Sequence, residues 1–237
     1  MKIRNKIWHY PLIITMALSL SVLSCKKDKT NDDDNNTTPL PTTVTDADGN
    51  VYNTVTIGTQ TWMKANLKTT KYNDGTSIAY VTTTWNGLTT GAYCNYNNDA
   101  NNAGTYGRLY NGFAAFNSKV CPSGWHVPSD AEWETLATSL GGTSVAGGKL
   151  KEAGTSHWMT PNTDADNSSG FTALPGGERD YTNGSFSNLG NYGTWWTSTE
   201  AIDDLNALYR HMSYKYAMIS GISGSKYYGY SIRCVKN

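Results

Sequence analysis

The sequence predicts an α+β domain of short antiparallel strands and long ordered loops, with one main helix over about residues 129–140. Three observations lead there. The chain is rich in Gly, Asn, Thr, Tyr and Trp and poor in long helical patterns, the composition of a loop-rich, strand-heavy exported module. Short runs alternate apolar and polar residues, the period of a half-buried strand. One clear helix start occurs, and several strand-like runs follow it, an order that reads as α+β. No internal repeat is present.

The chain begins with an export signal. Lys2, Arg4 and Lys6 form a basic head, residues 11–23 an apolar run, and Ser24 is the small residue before Cys25. The run falls short of the ~20 residues that cross a bilayer, so a retained membrane helix is not expected. The segment Leu20-Ser21-Val22-Leu23-Ser24-Cys25 reads as a lipobox, which makes Cys25 the acylated mature N-terminus. At about 0.8 kcal/mol per buried methylene, two or more chains give stable anchoring, here expected at the outer membrane. Residues 1–24 are the signal, and removing them takes away three of the 19 Lys+Arg and none of the 19 Asp+Glu, leaving a net charge of −3. No basic run appears, so nucleic acid is not an expected partner.

Residues 25–44 hold Lys, Asp, Asn and Thr with Pro39 and Pro41 and almost nothing to bury, the composition of a disordered linker. As a coil it spans roughly 25 Å. Asp28, Asp32, Asp33 and Asp34 cluster behind the anchor and look like the acidic tags that send lipoproteins to the cell surface.

Residues 45–237 form the domain. Asp48-Gly49-Asn50 is turn chemistry, Val51–Ile57 alternates as a strand, and a second strand runs from Gln60 towards Asn66-Leu67. Residues 70–118 read as ordered loops with few regular elements. Ser129 followed three residues later by Glu132 is a capping box. Trp133, Leu136, Ala137 and Leu140 then recur at helical spacing until Gly141-Gly142. A second helical piece is expected over 145–153, weakened by Gly147 and Gly148. Strands are expected at 171–174, 195–198, 207–212, 214–219 and 230–235, with a turn at Pro175-Gly176-Gly177.

Several of these segments resemble a known family. Asp48-Gly49-Asn50-Val51-Tyr52, Gln60-Thr61-Trp62-Met63 and Tyr106-Gly107-Arg108-Leu109-Tyr110-Asn111 carry the first half of the resemblance. Gly124-Trp125-His126-Val127-Pro128-Ser129, Leu174-Pro175-Gly176-Gly177, Trp196-Thr197-Ser198 and Arg233-Cys234-Val235 carry the second. Together they resemble the FISUMP domain, the Fibrobacter succinogenes major paralogous domain of secreted and lipid-anchored bacterial proteins. The second half is more distantly similar to the C-type-lectin-like and sulfatase-modifying-factor fold. The resemblance implies architecture and leaves activity open.

Cys94, Cys121 and Cys234 remain after the anchor, and an oxidising compartment implies one disulfide among three pairings. The lectin-like resemblance implies Cys121–Cys234, with Cys94–Cys234 its competitor. No CxxC or HxxxH spacing marks a metal site. A formylglycine-generating enzyme needs two reactive cysteines near the C-terminus, and Cys234 stands alone there. No Gly-x-Ser-x-Gly elbow is present, and no catalytic residue is assigned. His126 reads as a satisfied core histidine; His157 and His211 read as isolated.

Asp46-Ala47-Asp48-Gly49-Asn50 opens like a calcium loop, but Ile57 stands where the closing Glu belongs, so a turn is expected. Asn162, Asp164, Asp166 and Asn167 cluster before Gly170-Phe171, and calcium is a minor possibility beside a solvated loop. Trp85, Trp158, Tyr181, Tyr192 and Trp195 sit among Gly, Asn and Thr. Exposed rings beside amides suit sugars, so Trp158 and Trp195 with the 162–167 loop form the candidate ligand site. Trp125, Trp133 and Trp196 are assigned to the core. The functional expectation is a non-enzymatic surface lipoprotein that binds a glycan or a protein partner. The alternative is a structural or adhesive subunit of a surface assembly.

Overall fold

The structure, a computed structural model, describes residues 42–237. The signal, Cys25 and the acidic cluster behind it lie outside these residues. The expected linker ends earlier than residue 44, because β1 (Thr43–Thr45) already pairs antiparallel with β2 (Val51–Ile57). The turn between them is built on Asp46. Its carboxylate is buried and accepts the N–H groups of Asp48 and Asn50, the Asn50 amide and, at 2.6 Å, the Tyr52 hydroxyl. β2 folds back on β3 (Gln60–Met63), which stops short of Asn66.

Residues 70–118 hold more regular structure than their sequence suggests. β4 (Ala79–Tyr80) pairs parallel with β5 (Ala92–Cys94), and β5 pairs antiparallel with β6 (Leu109–Tyr110). Helix α1 (Ala100–Tyr106) starts on the Asp99 cap, and α2 (Gly112–Ala115) on the Asn111 cap. Neither carries an apolar period: α1 buries Ala103 alone, and α2 is a single turn. Caps, not periodicity, specify both.

β7 (Trp125–His126) leads through Pro128 into α3 (Asp130–Ser139), where both bonds of the capping box form. α4 (Thr143–Leu150) lies two to three residues N-terminal of its expected span. Its glycines are packing devices. A Cβ on Gly147 would meet the Met218 carbonyl at 2.4 Å, and one on Gly148 the Asp164 carbonyl at 2.6 Å. Then follow β8 (Gly176–Arg179), β9 (Phe186–Leu189), β10 (Tyr192–Glu200), β11 (Asn206–Ser213), β12 (Ile219–Ser225) and β13 (Val235–Lys236).

The architecture is α+β and loop-rich, with mostly antiparallel sheets. Among the described residues there are four α-helices, of which α3 is the expected main helix and α1 and α2 are additional. One sheet has the order β1-β2-β3-β13-β7, so the last strand closes between the first hairpin and the strand before α3. Cys121 and Cys234 are joined beside this seam, and Cys94 is a free, buried thiol. A second sheet is the meander β10-β11-β12, and β8-β9 forms a hairpin. Trp195 and Trp196 face opposite ways on β10, as neighbours in a strand must, and both are buried. Trp195 packs with Trp62, Trp133, Trp158 and Phe171, whereas Trp196 packs with Tyr110, Trp125, Tyr230 and Ile232.

Three buried cations hold loop carbonyls, and two of them, Arg233 and Lys151, explain where expected strands fail to form. Arg233 is buried against Phe171 and Trp195 and donates to the Asn66 side chain and to the carbonyls of Lys64, Phe171 and Thr172. Those carbonyls are thereby lost to sheet ladders, and Thr172 takes a left-handed conformation, so 171–174 is no strand and β3 ends at Met63. Lys151 is buried over Trp158, and its ammonium donates to the carbonyls of Thr163, Ser213 and Tyr216. That grip folds the expected strand at 214–219 into a turn. Arg179 lies over Trp85 and Phe186 and donates to the carbonyls of Val81, Thr82 and Thr83. Buried loop carbonyls need donors as much as ladder carbonyls do, and long basic side chains supply them. The expected strand at 230–235 is reduced to isolated bridges and then β13.

Candidate functional site

The residues expected to bind ligand do not form one exposed site. Trp158 and Trp195 are buried in the core, at 1% and 0% exposure. Their indole N–H groups are used internally, Trp158 donating to the Ala173 carbonyl and Trp195 to the Asn66 side chain. A ring that is wholly packed offers no face to a sugar, so both are corrected to core residues. Trp85 is likewise buried. Trp125, Trp133 and Trp196 are buried too.

The bonding side chains of the 162–167 loop hold its own shape and its neighbours, while Asn162 Oδ1 is buried without a partner among the described residues. Asn162, Asp164 and Asn167 are left-handed. The Asn162 amide donates to the Glu152 and Gly154 carbonyls, the Asp166 carboxylate accepts the Ser168 N–H, and Asn167 bonds Thr172. Asn162, Asp164 and Asp166 line an open polar depression without an aromatic wall. No group of three or more His, Cys, Asp or Glu positioned for a metal ion occurs among the described residues.

The histidines differ from expectation. His126 is half-exposed, not a core residue; its Nε2 lies 2.8 Å from the Glu132 carboxylate and its Nδ1 2.6 Å from the Asn237 amide oxygen. His157 is not isolated, because Glu152 lies 2.9 Å away. That pair lies five residues apart in the loop after α4, a spacing with no sequence signature. His211 has no acid partner, and burial lowers its pKa, which keeps the imidazole neutral near pH 7.

The surface feature with the chemistry of a ligand site is a cleft of about 250 Å³ on the open face of the β10–β12 meander. The antiparallel register sets Thr194 opposite His211 and His211 opposite Ser220, so these residues share one face. The Tyr192 and His211 rings meet at 4.5 Å. The turn at 213–218 adds Tyr216 and Met218, both exposed, and β12 adds Ile222. Ser213 and Ser220 supply hydroxyls at the floor. No charged side chain lines the cleft.

The buried Lys151 holds the cleft wall through the carbonyls of Ser213 and Tyr216. The 162–167 loop buttresses the same turn from behind, with the Thr163 N–H on the Tyr214 carbonyl and its hydroxyl on the Lys215 carbonyl. None of the candidate ligand residues lines this cleft. Tyr192, which the sequence marks as a loop aromatic outside the candidate set, does line it, and the Asn/Asp loop only supports the turn behind it. His211 reads as isolated in the sequence, and Tyr216, Met218 and Ile222 carry no local signal, because cross-strand register brings them together.

In comparison with known proteins, a family model described as the Fibrobacter succinogenes major domain matches residues 55–236. No curated protein and no solved structure matches the chain.

Proposed function

The chain belongs to the Fibrobacter succinogenes major domain family, and on that footing we propose that it is a non-enzymatic, lipid-anchored surface protein whose domain binds a ring of a neutral glycan in the cleft at Tyr192. The observation that carries this reading is the lining of the cleft. Two tyrosine rings, Met218 and Ile222 give apolar faces, and Ser213, Ser220 and a neutral His211 give hydroxyl and imidazole partners. A pyranose presents the same pair of surfaces, an apolar C–H face and a hydroxyl rim. A charged ligand would enter without a counter-charge.

A lectin-like arrangement of the domain is part of the proposal. It is supported by the disulfide that ties the segment before α3 to the last strand, and by β13 lying beside β7. Export and outer-membrane anchoring rest on the lipobox at Cys25. Titration of the purified protein with neutral oligosaccharides, followed by calorimetry, tests the binding claim. Saturable binding that Tyr192→Ala abolishes supports it. Binding that survives Tyr192→Ala, or that only acidic glycans produce, overturns it. A Cys25→Ser variant should leave the membrane fraction, and one that stays there refutes the anchor.

A further inference from the structure

We propose that a second surface, formed by Tyr181, Tyr227 and Tyr228 with the carboxylates of Glu178 and Asp180, binds an alkyl-ammonium group. The placement follows from the backbone. Arg179 and Gly229 exchange both hydrogen bonds of an antiparallel bridge, at 3.0 Å each. Residues flanking such a pair stand abreast on the opposite face, so Asp180 comes beside Tyr228 and Glu178 beside Tyr230. Position 229 must be glycine for this approach, because a Cβ would lie 2.9 Å from both the Arg179 Cβ and the Trp85 ring.

The rings form a corner. Tyr181 meets Tyr228 edge-on at 4.9 Å and 85°, and meets Tyr227 at 5.7 Å. All three are half-buried. Tyr228 has one face stacked on Tyr230 at 5.6 Å and Tyr227 packs against Phe113 at 5.4 Å, so each ring is held in place while part of its surface stays in solvent. The carboxylates complete the chemistry. Glu178 accepts Ser187 and Asn188 through Oε1, and no partner is recorded for Oε2 among the described residues. Burial first, then the charges of Asp180 and Glu178 among other neighbours, raises the Tyr228 pKa, as expected for carboxylates facing that ring.

Nearby cations are already engaged. Arg179 lies beneath on Trp85, and Lys226 pairs with Glu200 and covers Phe116. The domain thus places its own cations on aromatic faces repeatedly, while among the described residues no cation lies over Tyr181, Tyr227 or Tyr228. Asp180 accepts the Thr182 N–H and hydroxyl through Oδ1. Yet neither it nor Glu178 pairs with a cation among the described residues, and electron-rich rings beside such carboxylates attract an ammonium, a weakly hydrated quaternary one most. This surface is separate from the cleft at Tyr192, and the inference does not depend on the glycan reading.

The probe is choline, compared with its neutral isostere 3,3-dimethyl-1-butanol, titrated into the isotopically labelled protein. Amide shifts at Tyr181, Tyr227 and Tyr228 should saturate with choline in the millimolar range and stay unchanged with the isostere. Tyr181→Ala should remove the response. Glu178→Gln, which keeps side-chain volume, should weaken it several-fold with the rest of the spectrum intact. Tyr192→Ala should leave it unchanged. Equal responses to choline and isostere, shifts centred elsewhere, or no saturation would each overturn the proposal.

Discussion

At the scale of single residues, nearly every polar group taken out of water finds a partner, the exceptions among the described residues being Trp133 Nε1, Asn162 Oδ1 and Arg179 Nε. Arg233 is the clearest case: its guanidinium spans the Asn66 oxygen and three carbonyls between two aromatic rings. Arg233→Leu strands those acceptors and should destabilise the domain by about 3–5 kcal/mol in urea unfolding, the scale for breaking a buried charged network. Arg233→Lys should recover little, since an ammonium cannot reproduce the planar fork. An unchanged midpoint in either variant contradicts the role given to this residue.

Buried tyrosines make a second residue-scale prediction. Burial, and for Tyr52 also the bond to Asp46, raises the pKa of Tyr52 and Tyr110 above the usual value. The folded state therefore keeps protons that the unfolded chain releases near pH 10, and stability is lost as pH rises above that point. The tyrosines' contribution should hold steady from pH 7 to 9, and the unfolding midpoint should fall steeply beyond 10. Tyr52→Phe should flatten part of that fall while costing about 1–2 kcal/mol at neutral pH, through the donor lost to Asp46.

At the scale of elements, the sequence was most legible where a local device acts alone. The turn on Asp46, the strand Val51–Ile57 and the helix opened by Ser129 and Glu132 all carry their instructions within a few residues. Ser129→Ala should cost about 1 kcal/mol, the value of a helix cap, and Ser129→Asp should restore most of it. Elements shaped by distant partners were misread. Residues 171–174 and 214–219 have strand composition, yet Arg233 and Lys151 claim their carbonyls from other parts of the chain. Trp158 and Trp195 looked like loop aromatics because their neighbours are Gly, Asn and Thr. The packing that buries them comes from Trp62, Trp133 and Phe171.

At the scale of the whole molecule, one covalent tie and one sheet seam hold the ends of the domain together. The Cys121–Cys234 bridge closes a separation of 113 residues, worth about 4–5 kcal/mol in the chain-entropy model. Reduction should lower the unfolding midpoint accordingly. Cys94, whose pKa burial pushes up to about 11, should resist thiol reagents until the domain unfolds. This frame presents the β10–β12 face to solvent at one side and braces its turn from behind. The family resemblance, carried by local motifs, could be read from the sequence and covers nearly the whole domain. The cleft could not, since its lining is drawn from two strands and a turn brought into register by the fold.

The central claim is that this face holds a neutral sugar ring. The most direct measurement is binding of the purified protein to an array of neutral and acidic glycans, alongside Tyr192→Ala and His211→Ala variants. The account predicts concentration-dependent binding to a subset of neutral glycans, reduced at least tenfold by either substitution. Binding that ignores both substitutions, or no binding to any neutral glycan at high protein concentration, would contradict it.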